Sequence, residues 1–282
     1  MPIDIYIVIP VHNRKEFTRQ CLLSLERQSY QNFQTVIVND GSTDGTQRMI
    51  RNDFHEVKIL SGDGNLWWTA SVNLGINYAL ENGADYILLL NNDTETKEDF
   101  IENLVDRASK NVVQGALWQD INSGEIIDGG TKRVKWATAG VEKLLDELPP
   151  GQRQGLQRVA YYSGRGLFIH HSVFARVGLF DEDVFPHYGA DQDFTLRARR
   201  SGFVICVNYD AILYIHQEES TSQSIRKKRG IQNYVAHLFS IKGGGNLKNF
   251  LHFSFRHCPK KYLIINIIVG TVRRIFGFFI ST

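Results

Sequence analysis

The chain has 282 residues, 43% of them apolar and 22% charged, which is long enough for a real core and too apolar for wholesale disorder. A formal net charge of +2 gives no general electrostatic case for nucleic acid. Cys21, Cys206 and Cys258 lie far apart without the paired spacing of a zinc site, so they read as small buried hydrophobes of a reducing compartment.

Residues 3–10 are nearly all apolar and β-branched, a first buried strand that Pro10 stops. The chain enters this strand at once, without the basic region and cleavage site of a secretory signal. Residues 14–28 then put Phe17, Cys21, Leu22 and Leu25 at helical spacing, with Asn13 placed to cap. A second cycle follows, with a strand over 35–38, the turn Asn39-Asp40-Gly41-Ser42 and a helix over 46–54. The third has a strand over 57–60, the loop Gly62-Asp63-Gly64-Asn65 and a helix over 69–80 ended by Asn82-Gly83. Residues 86–90 read as a fourth strand, buried on both faces, and 97–109 as the helix after it. Four strands alternating with four helices predict a parallel, right-handed α/β layer.

From 119 to 158 the pattern loosens, which predicts an insertion or acceptor-facing segment with little sheet content. Periodicity returns at 159–162 and 167–170, followed by a short helix over 172–177, a helix over 192–201 and closing strands over 204–207 and 211–215. After Gly243-Gly244-Gly245 the composition shifts, and 262–279 is apolar apart from Asn266, Thr271 and the Arg273-Arg274 pair. Two adjacent arginines in so short a run argue against a spanning helix. An in-plane membrane helix, a dimer helix and a helix packed on its own domain remain open. The basic run Arg226-Lys227-Lys228-Arg229 adds to the case for an anionic membrane surface, with solvated surface charge as its alternative.

The turn after strand one, Val11-His12-Asn13-Arg14, lacks the glycines of a dinucleotide fingerprint, and the chain has no P-loop. The strand ends instead carry Asn13, Asp40, Asp63 and Asp93. One such turn could be local turn chemistry; four on one sheet edge point to a site. In Asn91-Asn92-Asp93 the single carboxylate is a natural ligand for a hard divalent cation. Asp191 begins a predicted helix, where the dipole favours the ionised form that a general base needs, although an N-cap role for Asp191 or Asp193 is the simpler alternative. His216 ends a strand and becomes a second metal ligand if it meets Asp93; otherwise it is a surface histidine. Trp67 and Trp68 suit either stacking on a sugar or base, or core packing.

Taken in order, Ile9-Pro10-Val11-His12-Asn13, Val38-Asn39-Asp40-Gly41-Ser42-Thr43-Asp44-Gly45, Asn73-Leu74-Gly75, Asn91-Asn92-Asp93 and Gly189-Ala190-Asp191-Gln192-Asp193-Phe194 resemble the family 2 glycosyltransferases of the GT-A fold. The resemblance runs from residue 3 to about 216, and Gly64-Asn65-Leu66-Trp67-Trp68 is similar to a variant among bacterial members that build surface polysaccharides, rhamnosyltransferase-like ones included. It implies an α/β GT-A fold with a mostly parallel central sheet flanked by helices. The GT-A domain would span 1–242, with a donor-binding half over 1–118 and an acceptor and catalytic half over 119–242, and 243–282 would be a helical C-terminal extension.

The implied activity is inverting transfer of a hexosyl or deoxyhexosyl group from a nucleotide-diphosphate sugar to a glycan or lipid-linked acceptor, in the cytoplasm or at the inner face of the cell membrane. Donor contacts would fall on Pro10, His12, Asn13, Asp40, Asp63, Asn73, Asn91 and Asn92, Mg²⁺ or Mn²⁺ on Asp93 and His216, and the catalytic base on Asp191. Further expected partners are a peripheral membrane contact and a homodimer through the C-terminal helices, with no nucleic acid. Two departures stand out: Asn91-Asn92-Asp93 replaces the usual Asp-x-Asp, and Ala190-Asp191 replaces the usual Glu-Asp. The rival readings are a sugar-1-phosphate nucleotidyltransferase, whose Gly-rich basic signature is missing after strand one, and a non-catalytic binding scaffold.

Overall fold

The computed structural model of the chain describes residues 3–216 and 230–280; the basic run at 226–229 lies outside them. The first half alternates as expected: β1 (Ile5–Val11), α1 (Lys15–Glu26), β2 (Phe33–Asp40), α2 (Thr46–Asp53), β3 (Lys58–Gly62), α3 (Trp67–Glu81) and β4 (Tyr86–Leu89). After these come β5 (Thr94–Thr96), α4 (Phe100–Val105), β6 (Val112–Asp120), β7 (Ile126–Asp128), β8 (Thr131–Lys135), β9 (Gly140–Lys143), β10 (Leu156–Arg158) and β11 (Leu167–His170). The chain continues through α5 (His171–Val177), α6 (Ala190–Arg200), β12 (Val204–Ile215), α7 (Ile231–Phe239), α8 (Leu247–His257) and α9 (Leu263–Ile280).

The sheet runs β10-β12-β6-β11-β4-β1-β2-β3, with β5 paired to β12 and β7 to β6. Strands β1 to β4 are parallel, as are β6 and β12, but β11 is antiparallel to both β4 and β6. The sheet is therefore mixed, and a parallel reading holds only for its first half. Period-two alternation divides the core: Val8, Ile87, Leu89, Leu167 and Ile169 pack on one face, Ile7, Ile9, Leu88, Leu90 and Phe168 on the other. Helix α3 lies close on β1 because residue 75 is glycine; a Cβ there would stand 2.3 Å from a methyl of Val8.

Four expectations are corrected. The segment 119–158 carries four short strands, β7 to β10, with β8 and β9 forming their own two-stranded sheet. Its charged residues conceal the alternation, since exposed Arg133 and Lys135 alternate with partly buried positions on a half-solvated hairpin. Residues 159–162 are not a strand; Tyr161 makes a single bridge to Thr131. The two closing strands are one, β12, with a register shift between Asn208 and Ile212. The helix after β4 is shorter than 97–109, spanning only α4.

The C-terminal helices are tied to the back of α6. Asp193, fully buried, accepts hydrogen bonds from Arg197 Nε (2.7 Å) and Arg256 Nη1 (2.9 Å) and lies 2.8 Å from His257 Nε2. Arg200 donates in return to the carbonyls of Arg256 and His257. On α9, Asn266 is buried between Ser254 and the Trp136 carbonyl, while Ile264, Ile268, Val272, Phe276 and Phe279 are exposed along one side. Among the described residues one helix, Lys260–Phe279, is long and apolar enough to cross a membrane by length and composition.

Candidate active site

The carboxyl ends of β1, β2 and β3 are bound together by short polar contacts. Asn13 and Arg14 adopt left-handed backbone (φ 60° and 64°), turning the chain sharply into α1. Asn13 is no helix cap: its N–H donates to Ser42 Oγ (2.7 Å) and its Oδ1 accepts from the Thr43 N–H (2.9 Å), fastening the first turn to the second. His12 donates from Nδ1 to the Asp40 carbonyl at 2.5 Å, which fixes the ring proton on that nitrogen. Pro10 is partly buried opposite Val38 in the β1–β2 ladder.

Asp40 is nearly fully buried, and both its oxygens accept from the backbone of the next loop: Gly64 N–H at 2.7 Å, Leu66 at 3.0 Å and Trp67 at 3.3 Å. It shapes the loop rather than standing free for a ligand. The loop also lies against Gly41, where a Cβ would meet Gly64 Cα at 2.8 Å. Asp63 is exposed and accepts from the Asn65 N–H (2.9 Å), an Asx turn.

At the end of β4 the three polar residues separate. Asn91 Oδ1 accepts from the Trp68 indole N–H (3.0 Å), whereas buried Asn92 donates to Thr18 Oγ1 (3.0 Å), a packing role. Asn73 is likewise internal, bonded to the backbone of Phe180 in both directions and to Glu182. Asp93 Oδ2 accepts from Arg14 Nη1 at 3.0 Å; Arg165 Nη2 stands 3.5 Å from Oδ1, and Oδ1 is buried without a hydrogen bond. A buried carboxylate oxygen left without a donor fits a divalent cation that draws its other ligands from substrate and water. His216 does not pair with Asp93; its Nε2 lies 3.1 Å from Glu95 Oε1 and its ring meets Phe17 edge-on. No cluster of three or more His, Cys, Asp or Glu residues suited to a metal occurs among the described residues.

Asp191 is the second residue of α6, whose entry uses Gly189 at φ 95°. Its Oδ2 accepts from the Gly164 N–H (2.8 Å) and its Oδ1 from the Gln192 N–H (2.9 Å). The helix N-terminus alone would favour the anion, but burial outweighs these donors and pushes the carboxyl up from its ordinary value. A Cβ at Gly164 would lie 2.4 Å from the Trp68 ring and 3.3 Å from Asp191 Cβ. Trp68 thus spans from Asn91 to the edge of Asp191, and its ring also packs edge-on against Phe180.

Sequence reasoning missed three charged residues here. Arg14 and Arg165 flank Asp93, and the Gly-flanked position of Arg165 in Ser163-Gly164-Arg165-Gly166 was the signal available. Asp128, in an Asp-Gly-Gly turn, is pushed up mainly by burial and further by the charge of Asp191, supplying a nearby carboxylate although Ala190 replaces the acidic neighbour. On the far side of Asp191 lies a cavity of about 350 Å³, walled by the β8–β9 hairpin, the start of α6 and the C-terminal helices.

The model of the family described as "Glycosyl transferase family 2" matches residues 6–178. Glycosyltransferase GlyA of Streptococcus pneumoniae is 30% identical over 105 residues, 36% of this chain and only 14% of that protein's length. The N-acetylglucosaminyl-diphospho-decaprenol L-rhamnosyltransferase of Mycobacterium tuberculosis is 26% identical over 230 residues, 72% of each chain. A crystal structure of GalNAc-T7 with UDP, GalNAc and Mn²⁺ superposes with a TM-score of 0.65 at 13% identity, covering 96% of this chain and 56% of that one. With the family model covering more than half its length, this chain belongs to glycosyl transferase family 2, as an enzyme of the GT-A fold.

Proposed function

We propose that the protein moves a sugar from a nucleotide-diphosphate sugar to an acceptor hydroxyl with inversion. The observation that carries this reading is Asp191, held by two N–H groups between the Trp68 side of the sheet edge and the 350 Å³ cavity. The acceptor oxygen attacks the anomeric carbon and gives its proton to Asp191. The bond from that carbon to the diphosphate oxygen breaks, and its electron pair leaves with the nucleoside diphosphate. On the donor side, Asp40 holds the 63–67 loop, exposed Asp63 faces the nucleoside, and Arg14 and Arg165 bring positive charge to the diphosphate. Asp93 would hold Mg²⁺ or Mn²⁺, which when bound supplies Lewis-acid neutralisation of the departing group.

The mycobacterial relative's name supports a deoxyhexosyl donor and a glycan or lipid-linked acceptor in bacterial envelope synthesis. The exposed apolar side of α9, with Lys260 and Lys261 at its start, supports contact with the inner face of the membrane. The test is a panel of nucleotide sugars with Mn²⁺, following release of nucleoside diphosphate. Asp191→Asn is expected to lose turnover by about 10²-fold or more while donor affinity stays within a few-fold; near-normal turnover would remove Asp191 from this role. Transfer is expected to fall in excess EDTA and recover with Mn²⁺, and full activity in EDTA would remove the metal from Asp93.

A further inference from the structure

The cavity beyond Asp191 has an unusual cation in its wall. Arg274, on α9, lines it together with Trp136, Tyr161, Gln192 and Phe250. The guanidinium sits over the Phe250 ring, 3.7 Å from its centre, and Nη1 donates to the Gly270 carbonyl at 3.2 Å. Gly270 makes this stack feasible, since a Cβ there would lie 2.1 Å from Phe250 Cζ. No carboxylate pairs with Arg274 among the described residues, and Asp191, in the same wall, forms no ion pair with it. Burial, aided by neighbouring Arg273, pulls its pKa down to about 10. A charge held partly out of water without a counterion is destabilising by itself. Its neighbour Arg273 is exposed, reaches the β8–β9 turn and donates to the Thr138 carbonyl.

We propose that this cavity is the acceptor site and that Arg274 binds an anionic group of the acceptor, a phosphate ester or diphosphate, while the attacking hydroxyl faces Asp191. The inference rests on the glycosyl-transfer reading above. Guanidinium matches phosphate geometry with paired N–H donors and is readily desolvated, which suits a half-buried subsite. The C-terminal extension is then part of the acceptor site, because α8 and α9 supply Phe250 and Arg274. The phosphate could belong to a soluble sugar phosphate or to a lipid diphosphate sugar, and the two call for separate arms.

The full chain, with Arg274→Gln and Arg274→Lys, is assayed with neutral N-acetylglucosamine glycosides, with N-acetylglucosamine 1-phosphate and with a polyprenyl diphosphate N-acetylglucosamine in detergent. Hydrolysis of the donor in the absence of acceptor reports the donor side and the fold of each variant. The wild type is expected to prefer a phosphorylated acceptor, the lipid arm or the soluble arm identifying the source. Arg274→Gln is expected to raise KM for that acceptor by about 10- to 100-fold with kcat and donor hydrolysis retained, and Arg274→Lys to recover part of it. Equal use of neutral and phosphorylated acceptors, or an equal loss on both in Arg274→Gln, overturns the proposal. A chain inert toward every nucleotide sugar instead fails the glycosyl-transfer reading. In that event calorimetry of N-acetylglucosamine 1-phosphate binding, with nucleoside diphosphate saturating the donor side, still tests the subsite. Weaker binding in Arg274→Gln upholds it, and equal binding overturns it.

Discussion

At Asp191 two N–H donors favour the carboxylate and burial opposes them, with burial the larger influence. A base must be unprotonated to work, so turnover falls as pH drops through its pKa. The acid limb of the kcat profile is therefore expected above that of an ordinary aspartate, and single-turnover rates across acidic pH at saturating donor would locate it. Asp40 illustrates a different use of a carboxylate. Its position at the end of the second strand was legible from Asn39-Asp40-Gly41-Ser42, but its partners, the N–H groups of residues 24 to 27 positions later, were not. Backbone donors leave no trace in side-chain chemistry. Asp40→Ala strands those N–H groups near a buried site, and each left unpaired costs about 1–3 kcal/mol. Weaker donor binding with a lower melting temperature is expected, and calorimetry paired with thermal unfolding would measure both. Asn73 and Asn92 match the family pattern and yet lie in the interior, bonded to Phe180 and Thr18. Motif position identified them; only packing distinguishes a ligand contact from a brace.

Among the elements, α6 joins the cavity to the C-terminal helices, with Asp191 on the cavity and Asp193 on those helices. Sequence reasoning allowed Asp193 a cap at most, because Arg256 and His257 lie more than sixty positions away. The carboxyl of Asp193 is held down to about 2, against burial, by His257 first and then Arg197 and Arg256. Its folded value lies below the ordinary 3.8, so the stability it contributes is present above that value and lost as pH falls toward about 2. His257 is pulled down from 6.5 by burial, so the unfolded chain binds its proton first and acidification below 6.5 destabilises the fold as well. Chemical denaturation should show stability falling on the acid side in both windows. Asp193→Asn, which removes the anion shared by the partly buried Arg197 and Arg256 while Arg256 keeps Asp181, is expected to lose about 1–3 kcal/mol. The β8–β9 hairpin escaped the sequence reading because its strands are short and half-solvated, while β4 and β11, buried on both faces, were found.

Over the whole molecule, the alternation of β1 to β4 with their helices was readable because each apolar run ends at a polar turn. The antiparallel β11 was not, since a strand's direction depends on where the preceding 119–158 segment delivers it. The apolar side of α9 gives the molecule an orientation: Ile268, Val272 and Phe276 look outward while Arg274 faces the cavity. If that side lies on a membrane, Ile268→Glu with Phe276→Glu should reduce sedimentation with anionic vesicles and leave donor hydrolysis unchanged. Unchanged sedimentation would detach the helix from the membrane.

Trp68 also makes the protein its own reporter. Its indole N–H is held by Asn91 at the edge of the proposed donor site, and its ring borders Gly164 and Phe180. Indole emission responds to changes in local polarity, so a nucleotide entering beside Asn91 is expected to change the intrinsic fluorescence without any added label. The signal should shrink in Trp68→Phe, with the remainder assigned by Trp67→Phe on the same loop and by Trp118→Phe beneath Arg165, whereas Trp136, on the wall of the cavity beyond Asp191, should change little when nucleotide alone is added. Stopped-flow mixing could then follow donor arrival separately from sugar transfer.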